Sequence, residues 1–228
     1  FLEEIEEALE AGIREFEPAG VWFDYLTYAG WFETPDPDLQ ESCFCPDCIT
    51  EFCDSTGIDA TTPEEILSVH SEAWTRHKCE RVAKFARHYA DIVRASRPDC
   101  VTGAYMCPWA PDTYDGALTR IFAQDYDLLA PAIDIFTPLI YAKKSGRSPN
   151  WGRKFLENAE AFVPQTRKIQ LILDVLDFPD SLRAASEASP PSWGIQMFGG
   201  AEIFRSVETA VIFKRSVERI QQAIREAP

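Results

Sequence analysis

The chain has 228 residues, 46% of them hydrophobic, enough to bury a large core as one domain and too apolar for disorder. A net charge of −15 and a pI near 4.6, with no cluster of Lys and Arg, argue against a nucleic-acid partner. No run approaches the ~18 apolar residues of a membrane span, and FLEEIEEALE lacks the basic and apolar regions of a signal peptide, so no membrane partner and a cytoplasmic location are expected.

Residues 2–17 set Leu2, Ile5, Leu9, Ile13 and Phe16 at three- and four-residue spacings, with Glu3, Glu4, Glu6 and Glu7 near the positive N-terminal end. This predicts an amphipathic helix, stopped by Pro18-Ala19-Gly20. VWFDYL (21–26) is β-branched and aromatic and short enough for a buried strand. ESCFCPDCITEFC (41–53) then holds four of the chain's seven cysteines within a Cys-rich loop insertion at about 30–60. Thr62-Pro63-Glu64-Glu65 carries an N-cap Thr, Pro at the first helical position and a Glu that completes a capping box. A long helix is expected from there to Arg97-Pro98, with Trp74, Cys79, Val82, Phe85, Tyr89, Ile92 and Val93 as its buried stripe. Further strands are expected at 101–109, 133–141, 168–176 and 193–200, with a helix closing at 125–130 and a last one from about Ser206.

Continuous apolar strands separated by helices imply a parallel sheet covered by helices. None of the 11 glycines forms GxGxxG or GxxxxGK[ST], which disfavours a doubly wound dinucleotide or nucleotide fold, and no organic cofactor is expected. Polar or aromatic residues instead recur at strand C-terminal ends, at Asp24, Tyr105, Trp109, Tyr141 and Asp174, where a TIM (β/α)8 barrel gathers its active site. Five strands are visible where a closed barrel needs eight. The expectation is an α/β chain forming a single partial TIM-barrel domain over 1–228, its first strands lying upstream; the missing initial Met fits a chain that begins later.

GVWFDYLTYAGWFETPDPDLQESCFCPDCITEF, followed by the GAYMCPW and DIFTPLIY strands, resembles a group of largely uncharacterised bacterial glycoside-hydrolase-like TIM barrels, in which a strand ending in an Asp-Tyr pair precedes a CFCxxC segment. The resemblance runs from about residue 20 to 200. It implies that VWFDYL is strand 4 and WGIQMFGG strand 8, and that Asp24 is the strand-4 acid, a nucleophile or charge stabiliser acting on a carbohydrate.

Glycosidic cleavage needs one carboxyl to protonate the leaving oxygen and another to attack or stabilise the oxocarbenium-like centre. Asp24 is the first candidate for the second role; it could equally cap a loop or pair with an Arg. Asp174, in LILDVLD, is the favoured partner, with Asp177 one step further along and Glu33 and Asp112 on other loops, none marked by a motif. Tyr25, Trp31, Tyr105, Trp109 and Tyr141, with Asp177, are the expected substrate-binding residues, since flat rings at strand ends can stack on pyranose rings; ordinary cores use aromatics the same way. His70, His77 and His88 all fall on the long helix, and no GxSxG turn occurs, so His-based and Ser-based chemistry are disfavoured.

Seven cysteines in a chain of this size suit reduced thiols or a metal site better than a disulfide framework. Cys43, Cys45 and Cys48 form a CxCxxC array able to converge on one structural Zn²⁺, with Cys53, Cys79 or an upstream residue as fourth ligand. The array resembles the cysteine–zinc clusters of some β-galactosidases, where the fourth Cys comes earlier in sequence. Cys45-Pro-Asp-Cys48 also has the CxxC form of a redox dithiol, although it follows a polar, Pro-rich loop rather than a strand. Two alternatives to a glycosidase remain: a non-catalytic carbohydrate-binding barrel, and a protein whose active part is the thiol or metal site.

Overall fold

The computed structural model describes residues 2–187 and 192–226. Helix α1 (Leu2–Phe16) leads into β1 (Gly20–Phe23), and α2 (Pro46–Thr56), α3 (Pro63–Val69) and α4 (Ser71–Ser96) follow before β2 (Val101–Met106). Short helices α5 (Ala117–Arg120) and α6 (Tyr126–Leu129) precede β3 (Ile135–Ile140), and α7 (Trp151–Ala159) precedes β4 (Lys168–Asp174). A 3-10 turn (Val175–Asp177) and α8 (Asp180–Ser186) lead to β5 (Gly194–Phe198), and α9 (Val207–Glu226) closes the chain. The strands pair in sequence order, all parallel, as one five-stranded sheet whose β1 and β5 edges have no partner strand among the described residues. The α/β architecture and the five strands match the sequence reading; this open arc is compatible with a partial TIM-type barrel.

Strand periodicity divides the sheet into two faces. Ala104, Met106, Phe136, Ile140, Leu171 and Leu173 point outward and form the main core with Val82, Ala86 and Ala90 of α4, Phe155 of α7 and Leu182 of α8. The other face carries Trp22, Thr137, Gln170, Tyr105 and Gln196. Trp22 Nε1 donates to Thr137 Oγ1 at 2.9 Å, and the Tyr105 hydroxyl lies 3.4 Å from Gln196 Oε1. Gly103 is required here: a Cβ would sit 2.3 Å from the Trp22 ring, which lies across it.

The Cys-rich insertion has its own small core. Phe52, Ala60, Ile66 and Trp74 are buried together, with Phe44, Cys48, Ile49 and Cys53 packed against them. Within the segment expected to be a loop insertion, Pro46 starts a helix: it occupies the first helical position of α2, Asp47 lies in the first turn, and Gly57 ends it at φ +71°. The long helix expected from Thr62 is two. Thr62 caps α3 by accepting from the Glu65 N–H at 3.2 Å, and the chain leaves helical geometry at His70 before α4. Ile66 and Trp74 would stand roughly 80° apart on a continuous helix; the break lets both reach Phe52.

Two apolar assignments are corrected: Phe85 of α4, and Leu2, Ile5 and Phe16 of α1, are exposed, because no described element covers those faces; Val207 and Val211 of α9 are exposed as well. Among the described residues no helix is long and apolar enough to cross a membrane.

Candidate functional site

The C-terminal ends of β1, β2, β3 and β5 and the segment after β1 enclose a cavity of about 310 Å³ lined by Asp24, Trp31, Phe32, Glu33, Tyr105, Tyr141 and Phe198, among others. That is the lower end of the size range for small-molecule sites. A second groove of about 360 Å³, between the segment after β1 and α4, is lined by Tyr25, Leu26, Thr27, Tyr28, Arg81, Val82 and Phe85. It is wider open and brings no carboxyl group, so the acid chemistry belongs to the first.

Asp24 is exposed on the cavity wall, and its Oδ1 accepts the Tyr25 N–H at 2.9 Å. Tyr25 takes a left-handed backbone (φ +53°), which aims that N–H at the carboxylate and leaves the residue 77% exposed at the rim. Trp31 is half exposed and Tyr105 partly buried, both on the cavity wall. Tyr141 is buried, with its ring 5.5 Å from Phe198. Burial, aided by Glu33, Asp174, Tyr105 and Asp24 nearby, pushes the Tyr141 phenol well above its ordinary value, so it stays a neutral donor.

Asp174 ends β4 and is 2% exposed. Its Oδ1 accepts the Leu176 N–H at 2.8 Å, and its Oδ2 lies 2.7 Å from Lys144 Nζ. Lys144 also reaches Glu33 Oε2 at 3.9 Å and sits over the rings of Tyr141 (4.5 Å) and Phe198 (4.8 Å). Burial, reinforced by Asp174 and Asp24 and opposed by Lys144, raises the pKa of Glu33. Asp177 lies below the surface rather than on the cavity wall. Its Oδ1 accepts the Lys143 N–H at 2.8 Å, holding the loop that carries Lys144, and burial raises its pKa. Trp109 is likewise off the wall: 3% exposed, it packs edge-on against Phe32 and Phe122 in the main core, because the chain beyond Met106 turns inward. Lys144 and Phe198 escaped the sequence reading. The signals present were the Lys143-Lys144 pair just past a strand end and the Phe that closes the last strand.

The sulfurs of Cys43, Cys45 and Cys48 lie within 4.8 Å of one another. Cys45 is the N-cap residue of α2. Its thiol is pushed down by the Cys48 backbone N–H, by the Cys48 and Cys43 side chains and by the Asp47 N–H, the usual effect of a helix N-terminus. Burial and Cys45 push Cys48 up to about 11, and Arg81 Nη1 approaches its sulfur at 3.5 Å while also donating to the Tyr28 hydroxyl at 3.1 Å. Tetrahedral Zn–S bonds of 2.3 Å set sulfurs about 3.8 Å apart; the three thiols need little movement to fit. Cys53 does not join them. Five positions beyond Cys48 on one helix, it points about 140° away around the axis, and its thiol donates to the Ala60 carbonyl at 3.2 Å. Cys79 is equally committed, its Sγ 3.7 Å from the Thr119 carbonyl. All seven cysteines are free of disulfides.

No family model and no curated protein matches the sequence. Among solved structures the chain is similar to the PgaB (BpsB) glycoside hydrolase domain from Bordetella bronchiseptica, with a TM-score of 0.65 and 13% sequence identity, over 92% of this chain and 60% of that one. The chain therefore spans about three fifths of that structure's length, and what the likeness shows is a shared fold, an α/β sheet of parallel strands compatible with a partial TIM-type barrel.

Proposed function

We propose that the protein is a glycoside-hydrolase-like enzyme that cleaves a carbohydrate in the cavity at its strand ends, its five strands corresponding to strands 4–8 of an eight-stranded barrel. The observation that carries this reading is the gathering of Asp24 with a second carboxyl and the rings of Trp31, Tyr105, Tyr141 and Phe198 around one cavity at the C-terminal ends of parallel strands. Asp24, open to solvent, is the carboxylate that attacks the sugar carbon or activates water, while a second acid of the same site protonates the leaving oxygen. The aromatic faces hold the sugar ring and exclude water.

Cys43, Cys45 and Cys48 fit a structural zinc ion, which would supply a rigid crosslink between the start of α2 and the preceding loop that lines the cavity. Cys53 and Cys79 are turned away, so a fourth ligand would have to come from elsewhere.

Asp24→Asn tests the proposal. Turnover of a panel of glycans and aryl glycosides should fall by about 10²–10⁴-fold, with binding measured by calorimetry and the circular dichroism spectrum retained. Unchanged turnover removes Asp24 from catalysis. A second reading, a barrel that binds glycan without cleaving it, draws on the inner ends of β2 and β3, which bring Tyr105 and Tyr141 and no carboxyl. It predicts glycan binding by the wild-type chain and no turnover at all.

A further inference from the structure

We propose that Glu33, rather than Asp174 at the strand end, is the proton donor of this cavity, and that Lys144 is the positioning residue that engages Asp174 and leaves Glu33 to the substrate; the inference rests on the glycosidase reading above. Three carboxyl groups, of Asp24, Glu33 and Asp174, approach the Tyr141 hydroxyl, and the cation among them is Lys144. Its ammonium is unequally shared, 2.7 Å from Asp174 and 3.9 Å from Glu33, and is held in that place by the rings of Tyr141 and Phe198. Asp174 is ion-paired to Lys144 through Oδ2 and accepts the Leu176 N–H on Oδ1, so both its oxygens are engaged, and it does not line the cavity.

Glu33 stands in the opposite condition. Its side chain is 20% exposed, lines the cavity and accepts no hydrogen bond from a described residue, while two carboxylates lie near it. Burial and like charge both favour the neutral acid: burial raises the Glu33 pKa, and the nearby Asp174 and Asp24 add to it against the opposing Lys144. Asp24, exposed on the cavity wall and bonded to the Tyr25 N–H, is the member placed to act as nucleophile or base. Two carboxyls in unlike surroundings on one cavity are what glycosidic cleavage requires.

In the reaction the Glu33 O–H gives its proton to the glycosidic oxygen as the bond from that oxygen to the sugar carbon breaks, the bonding electrons leaving with the oxygen as an alcohol. Water then adds to the sugar carbon directly, or Asp24 first bonds to that carbon as the glycosidic bond breaks and water displaces it; either course yields the free sugar. In the direct course Asp24 takes the water's proton and passes it to solvent, from which Glu33 regains its own; in the displacement course Glu33 takes that proton back itself. Lys144 exchanges no proton in either course.

Two measurements on the full chain decide the matter. Carboxyl ¹³C NMR, with Glu33→Gln used to assign the resonance, should show Glu33 titrating above the ordinary Glu range, and higher still in Lys144→Met. Kinetically, Glu33→Gln should lose about 10²–10⁴-fold on alkyl glycosides and far less on 2,4-dinitrophenyl glycosides, whose leaving group departs unprotonated, and the basic limb of its pH profile should vanish. A Glu33 that titrates as an ordinary Glu overturns the inference, as does a leaving-group-dependent loss that follows Asp174→Asn instead. A wild-type chain inactive on every glycoside refutes the function proposed above; the NMR titration then still decides whether Glu33 holds its proton.

Discussion

Lys78→Met tests how the Cys-rich segment is fastened to the sheet. Lys78 has no exposed side-chain surface, and its ammonium lies 2.8 Å from Glu41 Oε2 and donates to the Arg120 carbonyl, while Arg120 Nη1 binds the other Glu41 oxygen at 3.0 Å. The rings of Tyr28 and Trp74 stand 5.6 and 5.8 Å from the ammonium. Met keeps most of the side chain's apolar packing, so the loss is electrostatic. Removing one partner of a buried pair costs about 3–5 kcal/mol. Glu41 retains Arg120 and is 14% exposed, which places the expected loss near 3 kcal/mol, the lower end of that range. At roughly 2–4 °C per kcal/mol for a chain of this size, Tm should fall by about 6–12 °C. Urea unfolding followed by Trp fluorescence should show a lower midpoint at unchanged slope. Burial lowers the pKa of Lys78 more than Glu41 raises it, so ionisation costs more in the fold than the partner returns. Lys78→Met combined with Glu41→Gln should therefore recover a large part of the loss. A single-variant loss below about 1 kcal/mol would put this pair in the class of surface ion pairs and refute the reasoning.

The cysteine cluster and the buried acid yield two further predictions. Protein purified in zinc should carry the metal stoichiometrically by elemental analysis, and Cys45→Ser, which removes the sulfur at the helix N-cap, should lose it; chelator should lower Tm in the wild type and leave the variant unchanged, and no metal in the wild type would sink the site. For Glu33 the native pKa is raised, so above the unfolded value of about 4.3 the folded chain holds a proton that the unfolded chain releases. Stability contributed by this group is lost as pH rises through that window. Glu33→Gln should accordingly gain in Tm over wild type between pH 4 and 7 and match it below, and a gain that grows toward acid would contradict the sign.

The cysteine segment links these results. Glu41 is tied to Lys78 and Arg120, and two residues later begins the thiol array that opens α2. The same stretch of chain, upstream, supplies Trp31, Phe32 and Glu33 to the cavity. A metal at the array and the buried pair at Glu41 would thus fix successive points of one loop, and Arg81 joins them to α4 through Cys48, Tyr28 and Glu51. A loop that positions a reacting acid gains from such fixation, because about 1 Å of misplacement can cost on the order of 100-fold in rate.

Local spacing made several features legible. The five strands, the Thr62 cap and the convergence of Cys43, Cys45 and Cys48 depend on residues a few positions apart, and all are present. Helix α2 was legible too: Pro46 and Gly57 mark its ends, and recognising it would have excluded Cys53 as a co-ligand of Cys48. Asp24, Tyr105 and Tyr141 fall on the inner face by strand alternation once the direction of the sheet is known.

The sequence by itself determined the periodicity of the elements, their order and the local thiol array, since backbone geometry imposes 3.6- and 2-residue repeats on any chain that hides apolar surface. Only the tertiary structure decided the state of each acid and the exposure of each ring. Asp174 and Glu33 are both unremarkable loop or strand-end acids in sequence; one is tied at 2.7 Å to Lys144, which approaches from the end of a different strand, and the other lines the cavity, where burial raises its pKa against the pull of the same Lys144. Trp109 and Trp31 are equally aromatic, yet the first is sealed by Phe32 and Phe122 and the second faces the cavity. Charge and burial belong to neighbours brought together across the chain, and no repeat in the sequence encodes them.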